Sequence, residues 1–297
     1  MSAPDPEDLG RDLTSLVADL NAPVEQIRPI TQRPSASRLA ACYQISFADG
    51  RTMKARRCRS ESAAVRIQAF SRRLPNGHFP TVLARRGAAL LIEWIDGQPL
   101  TGRRNERTFV RQAGSLLGQI HSVPGLSPRR VPGFTPEVQR ERLSQALDRL
   151  AIVGLTRAES KVIVEAATRR VPAQPAFGLV HRDFCPENAV VDPHGRVWFV
   201  DTEAVGVGAY DYDLARTEYR WPLHSTHREC FLEGYALHRS DETFRSHETY
   251  WLTLAFVDSA LYRLREGISR AQEPIERLRR LIEGLPVPPS TFPSCWQ

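Results

Sequence analysis

LVHRDFCPEN, at residues 179–188, is the stretch that decides the predicted fold. It continues one β-rich run, FGLVH, and leads into another, NAVVDPHGRVWFVD. Asp183 and Asn188 therefore stand five residues apart on a predicted loop between strands. A carboxylate can accept the proton of a hydroxyl group, and a carboxamide oxygen can bind Mg²⁺. The spacing indicates phosphoryl transfer, with Asp183 as the base and Asn188 as a metal ligand.

A second carboxylate follows at the end of the next β-rich run. Residues 197–201 read VWFVD, so Asp201 lies thirteen residues beyond Asn188. Mg²⁺ takes oxygen ligands in proteins and usually only one or two carboxylates. Asn188 and Asp201, completed by water, are therefore the predicted metal ligands.

The preceding third of the chain contains a predicted β-hairpin. Residues 41–57 read ACYQISFADGRTMKARR, with apolar runs on both sides of Asp49-Gly50. Asp-Gly is typical of a tight turn between antiparallel strands, which puts Lys54 on the second strand. Of the 40 Lys and Arg residues only Lys54 and Lys161 are lysine, so a lysine at this position is unusual within its own sequence.

Hydrophobic periodicity predicts the other elements. Strands are predicted within residues 79–87 and 88–97. Helices are predicted at residues 8–20, 60–73, 106–122, 136–150 and 156–169, and again from about 212 onward. The fold class is therefore α+β, with a small N-terminal antiparallel sheet and one helix, followed by a larger and mainly helical part.

Composition excludes several classes of protein. The hydrophobic fraction of 41% and the charged fraction of 25% are those of a folded globular chain. The net charge of +6 is dispersed, which gives no support to nucleic acid binding. No run approaches 18 apolar residues, and MSAPDPEDLG lacks the features of a signal peptide. Five widely spaced cysteines form no CxxC pair, so we expect a cytoplasmic protein with reduced thiols and no membrane partner.

Lys54, the H-x-D-x-x-x-x-N loop and the strand-end Asp201 occur in the order that kinases use. On these motifs, from about residue 30 to 220, the chain resembles the aminoglycoside phosphotransferase and choline kinase-like superfamily. The resemblance implies a bilobal, protein-kinase-like fold. Its nucleotide-binding lobe would cover residues 1–95, including an N-terminal helix, and its catalytic and acceptor-binding lobe residues 96–297.

The resemblance also implies how the nucleotide is held. Lys54 matches the family lysine that pairs with the α- and β-phosphates, and the backbone from Glu93 to Ile95 matches the hinge that holds the adenine. The segment expected to cover the phosphates has no glycine, so the hydroxyls of Ser35 and Ser37 are predicted to replace close backbone contacts.

Three further positions follow from the resemblance. The acidic partner of Lys54 is expected on the helix after the hairpin, where Glu61 is the only glutamate and Gln68 the neutral alternative. Asp213, in the D-x-D-L-A element, is expected to brace the site. His121, at the end of a predicted helix, is interpreted as a packing or capping residue.

Arg182 is a departure, because the family usually has glycine there and protein kinases have arginine. Only eleven residues separate Asp201 from Asp213, and there is no A-P-E motif, which leaves no room for an ordinary activation segment. A small-molecule acceptor is therefore favoured over a peptide.

The predicted function is that of a small-molecule kinase. It would move the γ-phosphate of ATP or GTP, with Mg²⁺, onto a hydroxyl of an antibiotic-like acceptor. The alternatives are a metabolite kinase acting on a sugar, amino alcohol or nucleoside, a protein kinase, and an inactive nucleotide-binding regulator. Nothing in the sequence fixes the oligomeric state.

Overall fold

A computed structural model describes residues 11–20, 22–30, 41–74, 78–103, 106–124, 134–221, 223, 225–285 and 287. The described residues form two compact units, the first within 1–99 and 189–203 and the second within 100–188 and 204–297. The chain first passes from one unit to the other between Pro99 and Leu100. The assignment of separate tasks to residues 1–95 and 96–297 remains a prediction.

The first half of the chain contains both helices and strands, and helices dominate the second. The helices are α1 Arg11–Ala18, α2 Glu61–Ser71, α3 Arg107–His121, α4 Pro136–Asp148, α5 Arg157–Thr168, α6 Tyr210–Arg220, α7 Ser225–Ala236, α8 Glu242–Ser246, α9 Glu248–Leu264 and α10 Ile268–Ile282. The strands are β1 Val24–Pro29, β2 Ala41–Phe47, β3 Thr52–Arg57, β4 Val82–Arg86, β5 Ala89–Glu93, β6 Gln98–Pro99, β7 Phe177–Val180, β8 Ala189–Val191, β9 Val197–Phe199 and β10 Gly206–Ala209. The predicted α+β class is confirmed.

The first unit is built on an antiparallel sheet with the strand order β1-β2-β3-β5-β4. The predicted hairpin is present, since β2 pairs with β3 across a turn in which Gly50 has a φ of 83°. Only glycine adopts this left-handed conformation without steric cost. Lys54 lies opposite Gln44 on one side and Ile92 on the other, so the lysine stands on the central strand.

Each face of this sheet buries one helix. Successive residues of a strand point to opposite faces, so Leu91 packs with α1 whereas Leu90 and Ile92 pack with α2. Helix α1 contributes Leu13, Leu16 and Val17, all buried. Full burial of such side chains stabilises a fold by about 1.5–3 kcal/mol each. As predicted, Ser60 is the N-cap of α2, and its hydroxyl accepts a hydrogen bond from the Ala63 N–H.

Strands β1, β6 and β10 were not predicted. All residues of β1 except Ile27 are exposed, so this edge strand shows no alternation of apolar and polar residues. Strand β6 has only two residues, and it extends the small sheet β6-β8-β9. Strand β10 reads GVGA, a sequence of low β-propensity, and forms because it pairs along its whole length with β7.

The second unit is mainly helical, and its helices approach each other closely at glycines. A side chain at Gly114 of α3 would collide with the backbone of Phe231 in α7, and one at Gly234 of α7 with the backbone of Arg111. The aromatic residues Trp221, Tyr250 and Trp251 are buried in the core. None of the helices in the described part of the chain is long and apolar enough to cross a membrane.

Candidate active site

The predicted catalytic loop begins where β7 ends, and a buried carboxylate fixes its direction. The backbone N–H groups of His181 and Arg182 donate to the two oxygens of Asp213, with N–O distances of 2.8 and 2.7 Å. Asp213 lies in the first turn of α6. The ring of His181 is fully buried and meets Phe184 edge to face. Asp213 therefore holds the start of the loop through two charge-assisted hydrogen bonds.

His121 in turn supports Asp213. Its Nε2 lies 3.1 Å from Asp213 Oδ2 and its Nδ1 lies 2.9 Å from the Tyr235 hydroxyl. Burial lowers the pKa of His121 despite the nearby carboxylate. Because Asp213 Oδ2 is an acceptor, His121 donates to it through Nε2. Burial acts to raise the pKa of Asp213, but its hydrogen bonds with His121 and the His181 backbone outweigh this and keep the pKa below its usual value.

Arg182 occupies a strained position within this loop. Its φ of 67° is left-handed, and it is the only residue other than glycine with a positive φ in the described part of the chain. Such a conformation costs roughly 1–2 kcal/mol for an L-residue with a side chain. The Asp213 bond holds its backbone, and Arg182 Nη2 donates to the carbonyl of Val207 at 2.6 Å. The left-handed backbone explains physically why glycine suits this position.

Asp183 and Asn188 are brought together at the two ends of the loop. Asn188 Nδ2 donates to the backbone oxygen of Asp183 and to its Oδ2, both at 2.9 Å. The other carboxylate oxygen, Oδ1, lies 3.5 Å from Nη1 of Arg220. Because the amide nitrogen of Asn188 is engaged by Asp183, its amide oxygen is left to act as a ligand. The predicted base and the predicted metal ligand thus form one hydrogen-bonded pair.

In the first unit the structure links Lys54 with the segment that carries Asp201. Lys54 Nζ donates to the carbonyl of Val200 at 3.2 Å. Asp201 follows β9 by two residues, and its Oδ1 accepts a hydrogen bond from the Glu203 N–H at 3.3 Å. The lysine and the aspartate predicted for the nucleotide and metal therefore belong to neighbouring positions of one unit.

The structure does not pair Lys54 with Glu61. The carboxylate of Glu61 is ion-paired with Arg85 at 3.0 Å, and Gln68 accepts from the same guanidinium at 3.3 Å. Both predicted partners on α2 are therefore occupied by a residue of β4. In the described residues Lys54 forms no ion pair with either.

A second cation, Arg56, lies two positions beyond Lys54 on the same face of β3. It forms an ion pair with Glu203, and its Nη1 also lies 3.2 Å from Sγ of Cys42. Burial acts to lower the pKa of Arg56, but the neighbouring Cys42 and Asp201 outweigh this and raise it. Arg56 therefore holds the turn that follows Asp201.

The predicted hinge begins with the last residue of β5, Glu93. The Glu93 N–H donates to the Thr81 carbonyl at 2.9 Å, and the Glu93 carboxylate accepts from the Thr81 N–H at 3.0 Å. Ile95 lies just beyond β5 and is half-buried, and its N–H has no partner among the described residues. Ser35 and Ser37 lie outside the described residues.

Comparison with known families decides the assignment. A sequence profile described as APH, phosphotransferase enzyme family, matches residues 38–250, which is more than two thirds of the chain. The chain belongs to the APH phosphotransferase family. The match includes Lys54, the loop from His181 to Asn188, and Asp201. Comparison with curated protein sequences finds no significant match.

Solved structures of low sequence identity share this APH fold. Macrolide 2'-phosphotransferase MphH from Brachybacterium faecium is 19% identical, with 94% of this chain and 98% of that chain covered and a TM-score of 0.62. A thermostable mutant of aminoglycoside phosphotransferase APH(4)-Ia is 14% identical, with 92% and 98% covered and a TM-score of 0.64. Choline kinase from Cryptosporidium parvum is 12% identical, with 88% and 89% covered and a TM-score of 0.62.

Family membership confirms the class of reaction predicted from the sequence. This APH-family chain is a small-molecule phosphotransferase, a kinase that acts on a hydroxyl acceptor. The family also implies a nucleotide as phosphate donor and, typically, a divalent metal. Assignment of individual residues to these tasks remains a prediction.

Arg56 and Arg220 were not identified from the sequence, and His121 was interpreted there only as a packing or capping residue. Arg56 had a detectable signal, since i and i+2 residues of a strand share a face and Lys54 was already identified. Arg220 and His121 had no such signal, because they meet Asp183 and Asp213 only through the packing of helices distant in sequence.

Proposed function

We propose that this phosphotransferase moves the γ-phosphate of ATP or GTP onto a hydroxyl of an antibiotic-like acceptor, with Asp183 as the base. The observation that carries the proposal is the paired geometry of Asp183 and Asn188. The carboxylate oxygens lie on a loop whose backbone is fixed by Asp213, so Asp183 can orient the acceptor hydroxyl and take its proton with little rearrangement.

The side chains of Asn188 and Asp201 carry the donor atoms that suit a divalent metal. The amide oxygen of Asn188 and the carboxylate of Asp201 are hard oxygen donors of the kind that Mg²⁺ prefers. Asp201 uses one oxygen to accept from the Glu203 N–H, which leaves its other oxygen for a ligand. Asn188 and Asp201 would hold the metal, and a bound Mg²⁺ would supply neutralisation of the charge on the phosphate oxygens.

Lys54 is proposed to bind the nucleotide phosphates. Its present contact is with a backbone carbonyl, a neutral group that a phosphate oxygen can replace. The backbone beyond Glu93, at Ile95, is proposed to hold the adenine. Ser35 and Ser37 remain proposed contacts of the phosphates.

Two observations favour a small acceptor over a peptide. The guanidinium of Arg182 is engaged by the carbonyl of Val207, in a strand that pairs directly with β7. In addition, the segment from Asp201 to Asp213 is taken up by β10 and the start of α6. An inactive regulator is disfavoured because Asp183 and Asn188 remain hydrogen-bonded in a manner suited to catalysis.

Antibiotics are the first acceptor class to test, because structures that share the fold include macrolide and aminoglycoside phosphotransferases. A metabolite kinase is the second candidate, since choline and ethanolamine kinases also share it. We further propose a cytoplasmic location, supported by the four described cysteines, Cys42, Cys58, Cys185 and Cys230, which are all free thiols.

The decisive experiment measures Mg²⁺-dependent transfer from γ-labelled ATP and GTP to macrolides, aminoglycosides, sugars, nucleosides and amino alcohols. Asp183→Asn should lower kcat by at least about 100-fold while nucleotide binding is retained. Asp49→Asn, at the exposed hairpin turn, is the matched control and should leave transfer unchanged. Full activity of Asp183→Asn would refute Asp183 as the base, and transfer to metabolites alone would establish the second candidate.

A further inference from the structure

The last residue of α6 reaches the carboxylate of the proposed base. Arg220 Nη1 lies 3.5 Å from Oδ1 of Asp183, and Arg220 Nη2 lies 3.4 Å from Sγ of Cys185. Side-chain exposure is 22% for Arg220 and 27% for Asp183, so the pair is shielded from much of the solvent that weakens surface ion pairs. This contact joins two segments that are 37 residues apart in sequence.

The guanidinium of Arg220 is held in its charged form. Burial acts to lower its pKa, but Cys185, Asp183 and Glu187 together outweigh this and raise it. Two of these three neighbours are carboxylates of the catalytic loop. Arg220 is therefore the counter-ion of both loop carboxylates, Asp183 and Glu187.

The carboxylate of Asp183 is held from two directions. Asn188 donates to Oδ2 at 2.9 Å, while Arg220 faces Oδ1. Rotation of the carboxylate would disturb both contacts. The two groups thus define one orientation of Asp183, which a single hydrogen bond would not do.

The distance between Arg220 and Oδ1 leaves room for the acceptor. A tight charge-assisted hydrogen bond between a guanidinium and a carboxylate has an N–O distance of about 2.7–2.9 Å. At 3.5 Å the guanidinium attracts Oδ1 without fully occupying it. The oxygen can still accept a hydrogen bond from a hydroxyl group.

Helix α6 contacts the loop at both ends. Asp213, in its first turn, binds the loop backbone, and Arg220, at its end, faces the loop carboxylate. Seven residues correspond to about two helical turns, so both side chains project from one face of the helix. A single rigid element thus sets the backbone and the reactive side chain of the loop.

We propose that Arg220 is a positioning residue that orients the Asp183 carboxylate toward the acceptor hydroxyl. This inference rests on the proposed function, in which Asp183 is the base. Loss of Arg220 should act on the chemical step, because a misplaced base costs rate even when the substrates still bind.

The test compares Arg220→Ala with Arg228→Ala. Arg228, on α7, is the matched control, because its side chain is 21% exposed and its guanidinium pairs with Glu218 of α6 at 2.7 Å and with Glu248 of α9 at 2.8 Å instead of with Asp183. Arg220→Ala should lower kcat by about 10- to 100-fold with little change in nucleotide KM. Added guanidinium ion, but not sodium at the same concentration, should restore part of kcat in Arg220→Ala and have no effect on Arg228→Ala.

Arg220→Lys is a second variant that keeps the test valid if Arg220→Ala does not fold. It keeps the charge but not the planar guanidinium, so its kcat should lie between wild type and Arg220→Ala. The proposal is overturned if Arg220→Ala keeps the wild-type kcat. It is also overturned if Arg228→Ala loses as much kcat as Arg220→Ala and guanidinium rescues neither variant.

A readout independent of turnover separates this proposal from the proposed function. If wild-type protein transfers no phosphate, the proposed function fails, and amide hydrogen exchange then decides the positioning of the loop. The Asn188 N–H donates to the Cys185 carbonyl at 3.0 Å within this loop. Its exchange should be faster in Arg220→Ala than in wild type and Arg228→Ala, and an unchanged rate overturns the positioning role.

Discussion

The catalytic loop of the second unit and the Lys54 region of the first unit are stabilised to different extents. In the loop, Asp213 accepts from two backbone N–H groups and from His121, and Asp183 is held by Asn188 and Arg220. In the described part of the first unit, the one hydrogen bond of the Lys54 ammonium group is to a backbone carbonyl.

Preorganisation of the catalytic loop gives this difference a functional explanation. Groups that must act on developing charge are most effective when they are already oriented before substrate binds. The loop meets this condition through its contacts with Asp213 and Arg220 of α6. We infer that the Lys54 ammonium group takes its final position only with the nucleotide, since its single neutral contact is easily exchanged for a phosphate oxygen.

The largest effect is expected from Asp213→Ala. This substitution leaves two backbone N–H groups and His121 without their acceptor in a buried site, so the free energy of unfolding should fall by about 3–5 kcal/mol. Urea denaturation measures the change. Asp213→Asn retains one carbonyl oxygen and should lose less. A loss below about 1 kcal/mol in Asp213→Ala would remove the contrast between the two regions.

An intermediate effect is expected at Lys54. A charged contact with phosphate contributes about 1.5–3 kcal/mol, so Lys54→Met should weaken nucleotide binding by about 10- to 100-fold. Calorimetric titration without acceptor measures this directly. Glu61→Gln is the matched comparison and should bind as wild type, because Glu61 pairs with Arg85. Equal weakening in both variants would mean that Glu61 reaches Lys54 when the nucleotide binds.

The smallest effect is expected at Arg182. Arg182→Gly and Arg182→Ala both remove the contact with Val207, but only glycine adopts a φ of 67° without strain. After allowance for the greater freedom of glycine in the unfolded chain, Arg182→Gly should be more stable than Arg182→Ala by about 0.5–1 kcal/mol. Thermal unfolding of the pair checks this, and the reverse order would show that Arg182 is unstrained.

The main elements were predictable where the signal is local. Asp49-Gly50 specifies its own turn, and the helices α3, α4 and α5 follow the 3.6-residue spacing of their apolar residues. Strands β1 and β10 were not predictable, because one is an exposed edge and the other contains two glycines. Their hydrogen bonds come from partners elsewhere in the chain.

The candidate site was predictable to a similar degree. Asp183 and Asn188 carry a fixed spacing that their chemistry requires, and the structure brings them into contact. Glu61 was expected beside Lys54 from its position on α2 alone, yet an arginine on β4 takes its carboxylate. Which cation an exposed glutamate meets depends on side chains distant in sequence.

The sequence by itself therefore predicted the reaction class, which family membership confirms, and the residues proposed for the chemistry, because both predictions depend on residue type and on short spacings. Only the tertiary structure decided which groups hold them. Arg220 and His121 reach Asp183 and Asp213 across 37 and 92 residues. Such contacts arise from the way helices pack around a buried carboxylate, and no local pattern of residues records that packing.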